Sequence, residues 1–276
     1  MINILVTGGN GNIAKMVKRN LSHNYNIVCL GRNDLNVLNL NEIENYLNKH
    51  SFDILVHTAI LGGRRTKEET GEVTHLNLVM LENLLFFADR FKMIINFDSA
   101  AIYDRSTDIF NRKEEELLTI PYDYYGFSKY VIYQRSLNYQ HFYNFRIFNI
   151  FHEQEEPDRF IKSCFLAKNN NTSITIFEDK FFDFVYEDDF IKIINFYFEN
   201  INNPSVLEKT INICYKEKYQ LSDIAKLIIN NEKQISILKE TSSSNYSGNG
   251  DKLENLNLGL DGLESTLQKY NNRFFN

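Results

Sequence analysis

The feature that most constrains this chain is a glycine-rich turn at its start. A short apolar run, Asn3–Thr7, passes directly into Gly8-Gly9-Asn10-Gly11-Asn12-Ile13-Ala14, and that turn opens an amphipathic stretch. Glycines at the spacing Gly-x-x-Gly-x-x-Ala let the backbone turn sharply and bring its N–H groups close to a bound anion, with the positive end of a helix beneath. A strand, such a turn and a helix form the first step of a parallel α/β sheet, so alternating strands and helices are expected to follow.

They do. Asn3–Thr7, Asn26–Leu30, Asp53–Thr58, Met93–Asp98 and Phe142–Phe148 read as strands, being short and rich in β-branched and aromatic residues. Between them Ile13–Leu21, Leu40–Lys49, Glu72–Arg90 and Tyr124–Tyr139 carry apolar residues at helical spacing. The expected fold class is α/β: a Rossmann-type doubly wound parallel sheet over residues 1–152, with a smaller C-terminal α/β region over 153–276 interleaved with it. In that second region helices are expected near Asp158–Lys168, Asp188–Phe198, Leu221–Asn230 and Leu260–Tyr270, and a strand at Ser173–Phe177. The Ser- and Gly-rich stretch Thr241–Gly250 is expected to be a flexible loop.

Composition narrows the partners. A net charge of −6 without long basic runs argues against a nucleic-acid surface, although the local pair Arg64-Arg65 suits a phosphate. No apolar run approaches a membrane span, and the start lacks a cationic leader, so the chain reads as cytoplasmic and not membrane-bound. Cys29, Cys164 and Cys214 lie far apart and form no Cys-x-x-Cys pair, so buried free thiols are expected, with neither a metal site nor a disulfide framework.

The second strand ends in Leu30-Gly31-Arg32-Asn33. At this point an acid would accept hydrogen bonds from the ribose hydroxyls of NAD, whereas a 2′-phosphate needs a cation and is repelled by a carboxylate. Gly31 occupies the acidic position and Arg32 follows, which points to NADPH as cofactor. Asp34 lies close enough in sequence to pair with Arg32, and in that alternative Arg32 is an ordinary solvated charge.

Tyr125 and Lys129 stand four residues apart on one helix face. Hydride delivery to a ketone builds alkoxide character that must receive a proton, and a phenol with a pKa of about 10 is a sluggish donor unless a neighbouring cation favours its phenolate. Ser99 ends the strand Met93–Asp98, and the carboxyl ends of strands in an open α/β sheet face the ligand crevice, where a hydroxyl can hydrogen-bond the reacting oxygen. Ser99, Tyr125 and Lys129 are therefore the candidate catalytic residues. His57 and His75 read as packed or hydrogen-bonded side chains.

At this point the chain resembles the extended short-chain dehydrogenases/reductases, the group of nucleotide-sugar epimerases, dehydratases and 4-keto reductases. The resemblance rests on Thr7–Ala14, Val56-His57-Thr58-Ala59, Ser99-Ala100-Ala101-Ile102-Tyr103, Tyr125–Lys129, Arg146-Ile147-Phe148-Asn149 and Asp183–Asp189. Arg32–Asn39 and Leu61-Gly62-Gly63 are similar to GDP-fucose synthases and related 4-keto reductases. The resemblance implies that Gly8, Asn10, Gly11, Asn12 and Ile13 hold the cofactor together with Arg32, Asn39, Thr58, Ala59, Ile60 and Phe148, while Tyr125 and Lys129 also touch it. It implies a substrate bordered by Gly63, Ala100, Ala101, Asn149, His152 and Arg159, namely a GDP-, dTDP- or CDP-linked deoxy sugar or heptose whose 4-keto group is reduced by NADPH. It further implies a homodimer built on the Glu72–Arg90 helix.

Departures from the group refine this. GDP-fucose synthases also epimerise C3 and C5 with a cysteine two residues after the serine and a histidine early in the substrate region; Ala101 and Arg159 stand at those places. A reductase without epimerase activity is expected. Ala100-Ala101 likewise lacks the acid pair of the dehydratases, and Phe182 stands where the group usually has an arginine. The rival readings are a nucleotide-sugar 4-epimerase, disfavoured by Arg32, and a non-catalytic NADPH-binding regulatory protein, disfavoured by the intact Ser99, Tyr125 and Lys129.

Overall fold

A computed structural model of the chain describes residues 1–63, 68–239 and 244–275. Two compact units are interleaved along the sequence. The first comprises Met1–Asp104, Leu117–Arg146 and Ile193–Ile211, the second Arg105–Glu116, Ile147–Lys192 and Asn212–Asn276.

The first unit is organised by a six-stranded sheet. Its strands are β1 (Asn3–Thr7), β2 (Asn26–Leu30), β3 (Ile54–His57), β4 (Met93–Ser99), β5 (Phe142–Ile147) and β6 (Thr210–Ile213), in the spatial order β2-β1-β3-β4-β5-β6. β1 pairs in parallel with both β2 and β3, and β3 pairs in parallel with β4. β1 and β3 run apolar through their centres without alternation, as strands covered on both faces do, and β3 is buried at every position. Chain order reverses at β1: the first crossover leads outward to β2, the next back to β3 on the other side. The carboxyl ends of β1 and β3 thus flank the switch point where open α/β sheets bind ligands.

Four helices pack on this sheet, each for a local reason. α1 (Asn12–Leu21) buries Ala14, Met16, Val17 and Leu21, and its last turn carries Lys18 and Arg19, which complement the negative end of its dipole. α2 (Leu40–Leu47) is capped by Asn39, whose Oδ1 accepts hydrogen bonds from the N–H groups of Asn41 and Glu42. α3 (Gly71–Leu85) is shorter than the expected Glu72–Arg90. A tight turn at Ala88–Arg90 replaces its last residues and swings Phe87 and Phe91 into the core while Phe86 stays in solvent. α4 (Tyr124–Ser136) is capped by Asp123, whose Oδ1 accepts the Gly126 N–H at 2.8 Å.

In the second unit, α5 (Phe160–Asn170), α6 (Glu187–Glu199, which continues into the first unit), α7 (Leu221–Ile228), α8 (Asp251–Asn255) and α9 (Gly262–Phe274) accompany short strand pairs. Tyr270 on α9 is fully buried, with the rings of Phe151, Phe165, Tyr186 and Phe274 around it. The loop expected over Thr241–Gly250 is corrected here. Tyr246–Gly248 is a buried strand paired with Ile109–Arg112, and a Cβ on Gly248 would stand 2.6 Å from the Phe148 ring, so this glycine serves close packing and not flexibility. Thr241–Ser243 lie outside the described residues, as do Arg64 and Arg65. The three cysteines are free, with Cys164 and Cys214 buried and Cys29 half-buried. Among the described residues no helix is long and apolar enough to cross a membrane.

Asn77 ties the loop after β3 to α4. It is fully buried; its Oδ1 accepts the Leu61 N–H at 2.9 Å, and its Nδ2 donates to the Leu61 carbonyl at 3.0 Å and to Ser128 Oγ at 3.2 Å. Asn77→Ala leaves these groups without their partner and is expected to lower the urea unfolding free energy by about 1–3 kcal/mol. An unchanged unfolding midpoint would show that water replaces the amide at no cost.

Candidate active site

The glycine turn is shaped by three backbones that nearly touch. Gly8 has φ +67°, and a Cβ there would lie 2.7 Å from the Ala59 nitrogen and 2.8 Å from Thr58 Oγ1. A Cβ on Gly9 would lie 2.7 Å from the backbone of Cys29 and Leu30, and the Gly9 N–H donates to the Leu30 carbonyl at 2.8 Å. Only glycine fits between the ends of β2 and β3. Thr58 Oγ1 donates to the Thr7 carbonyl at 2.7 Å, which fixes the end of β3 against β1. Gly11 caps α1 without a side-chain hydrogen bond, and the first turn of α1 contains no acid. The N–H groups of Asn12, Ile13 and Ala14 therefore head a ten-residue helix with nothing anionic of its own beside them. These residues fit a dinucleotide pyrophosphate.

Gly31 is buried because the Asn10 side chain occupies its face: a Cβ there would be 2.4 Å from Asn10 Nδ2. Asp34 does not pair with Arg32. Its Oδ2 accepts the Gly31 N–H at 2.9 Å, and Arg32 is exposed with no partner among the described residues. Asn39 is held by the cap of α2 and by its own bond to Glu42 Oε1 at 2.9 Å. Ile60 is 37% exposed at the mouth of the turn.

β4 and α4 bring the three candidate catalytic residues onto adjoining backbone. Ser99 ends β4, and its Oγ accepts the Ala101 N–H at 3.2 Å, starting the tight turn Ala100–Tyr103. α4 lies directly on that turn, since a Cβ on Gly126 would be 2.7 Å from the Ala101 carbonyl oxygen. Lys129 is 2% exposed and its Nζ donates to the Phe97 carbonyl at 2.6 Å, two residues before Ser99. The same Nζ lies 5.7 Å from the centre of the Tyr125 ring. Burial pushes the Lys129 ammonium down to about 8, with the Asp98 charge opposing that shift. Gly63 has φ +90° and lies flat against Tyr125, its Cβ position 3.0 Å from the phenol carbon. Ala100 and Ala101 are buried in the turn beneath, so neither presents a surface to a ligand.

The remaining expected contributors belong to the second unit. Phe148 is buried against Tyr246, and the Asn149 carbonyl accepts the Val185 N–H at 2.9 Å. His152 is buried and its carbonyl accepts the Tyr270 hydroxyl at 3.3 Å, whereas Arg159 is exposed at the start of α5. Phe182, at the place of the missing arginine, packs on the rings of Phe184 and Tyr246.

Two residues that sequence reasoning did not single out complete the site. Glu69 Oε1 accepts the Gly63 N–H at 2.5 Å and Oε2 the Tyr125 N–H at 3.3 Å, tying the glycine loop to the start of α4. Asp98 Oδ1 accepts the Ser99 N–H at 2.8 Å. The Glu69–Tyr125 bond joins groups 56 residues apart and carries no sequence signal, whereas Asp98 caps its own neighbour and its long-range partner is Arg146.

A glycine-rich turn at the switch point of a parallel sheet, followed in the chain by a serine at a strand end and a tyrosine and lysine on one helix, is the arrangement of the extended short-chain dehydrogenases/reductases. The chain belongs to the NAD dependent epimerase/dehydratase family, whose model matches residues 4–214. Among curated proteins nothing matches it by sequence. Solved structures share its fold. The dTDP-4-dehydrorhamnose reductase of Clostridium acetobutylicum superposes with a TM-score of 0.79 at 14% identity, covering 98% of this chain and 99% of its own. The GDP-D-glycero-L-gluco-heptose synthase of Campylobacter jejuni, determined with NADPH, gives 0.77 at 16%, covering 98% and 97%. The dTDP-glucose 4,6-dehydratase of Bacillus anthracis, determined with NAD, gives 0.75 at 17%, covering 99% and 97%.

His57 yields a prediction about acid stability. It is fully buried, its Nδ1 lies 2.9 Å from Thr7 Oγ1, and burial, with a smaller contribution from the Lys129 charge, holds its pKa down at about 3. The unfolded chain binds the His57 proton near pH 6.5 and the folded one near 3, so stability is lost as pH falls through that window, by up to about 1.4 kcal/mol per unit. His57→Asn is expected to flatten the fall in melting temperature between these limits. An identical pH dependence in the variant would assign the loss to other groups.

Proposed function

We propose that the protein reduces the 4-keto group of a nucleotide-activated deoxy sugar or heptose with NADPH, without epimerising C3 or C5. The observation that carries this reading is the seating of α4 on the serine turn through Gly126, with Lys129 reaching the carbonyl two residues before Ser99 and lying under the Tyr125 ring. Membership of the family supports an enzyme that works with a nicotinamide cofactor on a nucleotide sugar. The reductase and heptose synthase of like fold support reduction in particular.

The bound cofactor supplies the hydride. Tyr125 gives its phenolic proton to the substrate oxygen as the carbonyl becomes an alcohol, and Ser99 donates a hydrogen bond to the same oxygen. Lys129 places a positive charge under the phenol, which favours release of that proton. Ala101 has no proton to move, and Arg159 is a poor acid or base near neutrality, so no group at either place exchanges a carbon-bound hydrogen. The exposed Arg32 receives the 2′-phosphate, and Gly31 offers no carboxylate to oppose it. Residues 1–152 hold the cofactor and the proton donor, and residues 153–276 take up the nucleotide. The cytoplasmic enzyme acts in polysaccharide biosynthesis as a homodimer built on α3.

Arg32→Ala is expected to weaken NADPH binding about 10- to 100-fold in a fluorescence titration while NADH binding stays nearly unchanged. Equal affinities of the unaltered protein for the two cofactors would remove the case for NADPH. The reaction itself is tested with a panel of 4-keto sugar nucleotides in deuterated water. NADPH oxidation is expected with at least one, leaving C3 and C5 free of deuterium, and Tyr125→Phe should cost about 10²-fold or more in turnover with cofactor binding intact. Deuterium at C3 or C5 above the enzyme-free control would point to an epimerase, with His152 the first residue to examine.

A further inference from the structure

Beneath the candidate catalytic residues lies a buried ion pair that the reaction above does not use. The Asp98 and Arg146 side chains have no exposed surface, and Arg146 Nε donates to Asp98 Oδ2 at 3.0 Å. Arg146 Nη1 donates to the Tyr103 hydroxyl at 2.7 Å, and the guanidinium lies 4.7 Å from the Tyr103 ring centre and 5.2 Å from that of Tyr133. Tyr133 follows Lys129 by one helical turn. The pair thus touches β4, β5, α4 and the turn that begins at Ser99.

An ion pair in such a place is weak evidence for stability, because well-packed apolar residues of similar volume serve as well or better. Its position suggests another role. Asp98 lies between the two backbone groups that seat the candidate catalytic side chains: the Phe97 carbonyl before it accepts the Lys129 ammonium, and its own Oδ1 accepts the Ser99 N–H. The other charged or titratable groups around Lys129 are His57 from β3, Tyr125 and Tyr133 on α4, Tyr103 from the serine turn and Arg146 from β5. Glu69 meets the start of α4 at the Tyr125 N–H, and Asp98 is the carboxylate whose charge acts on Lys129.

We propose that Asp98, braced by Arg146, is a positioning residue that fixes the Ser99 backbone and keeps Lys129 charged beneath Tyr125. This rests on the reading of Tyr125 and Lys129 as the proton-donating pair. Burial alone drives the ammonium toward its neutral form, and a neutral lysine would leave the phenol without the cation that makes it a useful acid. Arg146 contributes the counter-charge that a fully buried carboxylate requires and orients it from the side opposite Ser99.

The test compares Asp98→Asn, which leaves Arg146 as an uncompensated buried charge, with the double variant Asp98→Asn/Arg146→Met, which removes both charges at similar volume. The readout is the titration of Lys129 in cofactor-free protein, followed by NMR of 13Cε-labelled lysine, alongside the pH profile of kcat with NADPH. The Lys129 midpoint is expected to fall in both variants, further in Asp98→Asn, where Arg146 stays charged, than in the folded double variant. The alkaline limb of kcat should fall with it, while KM for NADPH stays within about threefold. A folded double variant in which Lys129 titrates as in the unaltered protein overturns the proposal. A shifted midpoint in a protein that reduces none of the sugar nucleotides supports the role given to Asp98 and counts against the reaction alone.

Discussion

Lys129 must hold its charge where water does not reach. Its ammonium enters the core at the end of β4 and finds there the Phe97 carbonyl at hydrogen-bond distance. Much of the first unit follows from this demand. α4 must approach β4 and the serine turn closely enough for a lysine side chain to arrive, and no residue larger than glycine at 126 allows that approach. The helix must also be fixed along its axis, which Asp123 does at its N-terminus and Asn77 does from α3 through Ser128. A buried cation makes each of these contacts consequential, since a shift that broke the Phe97 bond would leave the charge without a partner.

The glycines of the opening turn impose a second constraint, which concerns the choice of cofactor. Gly31 is the residue whose lack of a carboxylate suggests NADPH, yet the structure shows a steric reason for glycine there. The Asn10 amide lies where its Cβ would go. A change that placed an acid at 31 would have to displace Asn10 from the phosphate turn first, so preference for one cofactor and the shape of the turn are mechanically linked. Gly8 and Gly9 extend this linkage to the ends of β3 and β2, and the turn behaves as one fitted piece.

The sheet was legible because β1, β3 and the first half of β4 are buried and read as short apolar runs; β1 and β2 begin and end where the sequence places them. Ser99, Tyr125 and Lys129 were legible because four-residue spacing and a strand end are local properties. What could not be read were bonds closed by the tertiary fold. Asp98 looked like part of the serine motif and is the partner of a residue 48 positions away. Tyr246–Gly248 looked like a flexible stretch because serines and glycines surround it, yet Gly248 is glycine because the Phe148 ring leaves no room for a Cβ, and Tyr246 packs on the same ring. β6 escaped notice because it spans four residues, one of them Asn212, whose polar side chain is buried and bonded to the carbonyls of Arg112 and Asn249.

The late position of β6 bears on how the chain acquires its structure during synthesis. β5 ends at Ile147 and its outer neighbour begins at Thr210, so a growing chain exposes the open edge of β5 until more than sixty further residues have been made. An apolar strand with unpaired backbone groups is a template for pairing with another chain. Pairings across such long separations also form slowly, which lengthens the exposure. The nascent protein is thus most vulnerable to aggregation after its glycine-rich turn and α4 have already been translated.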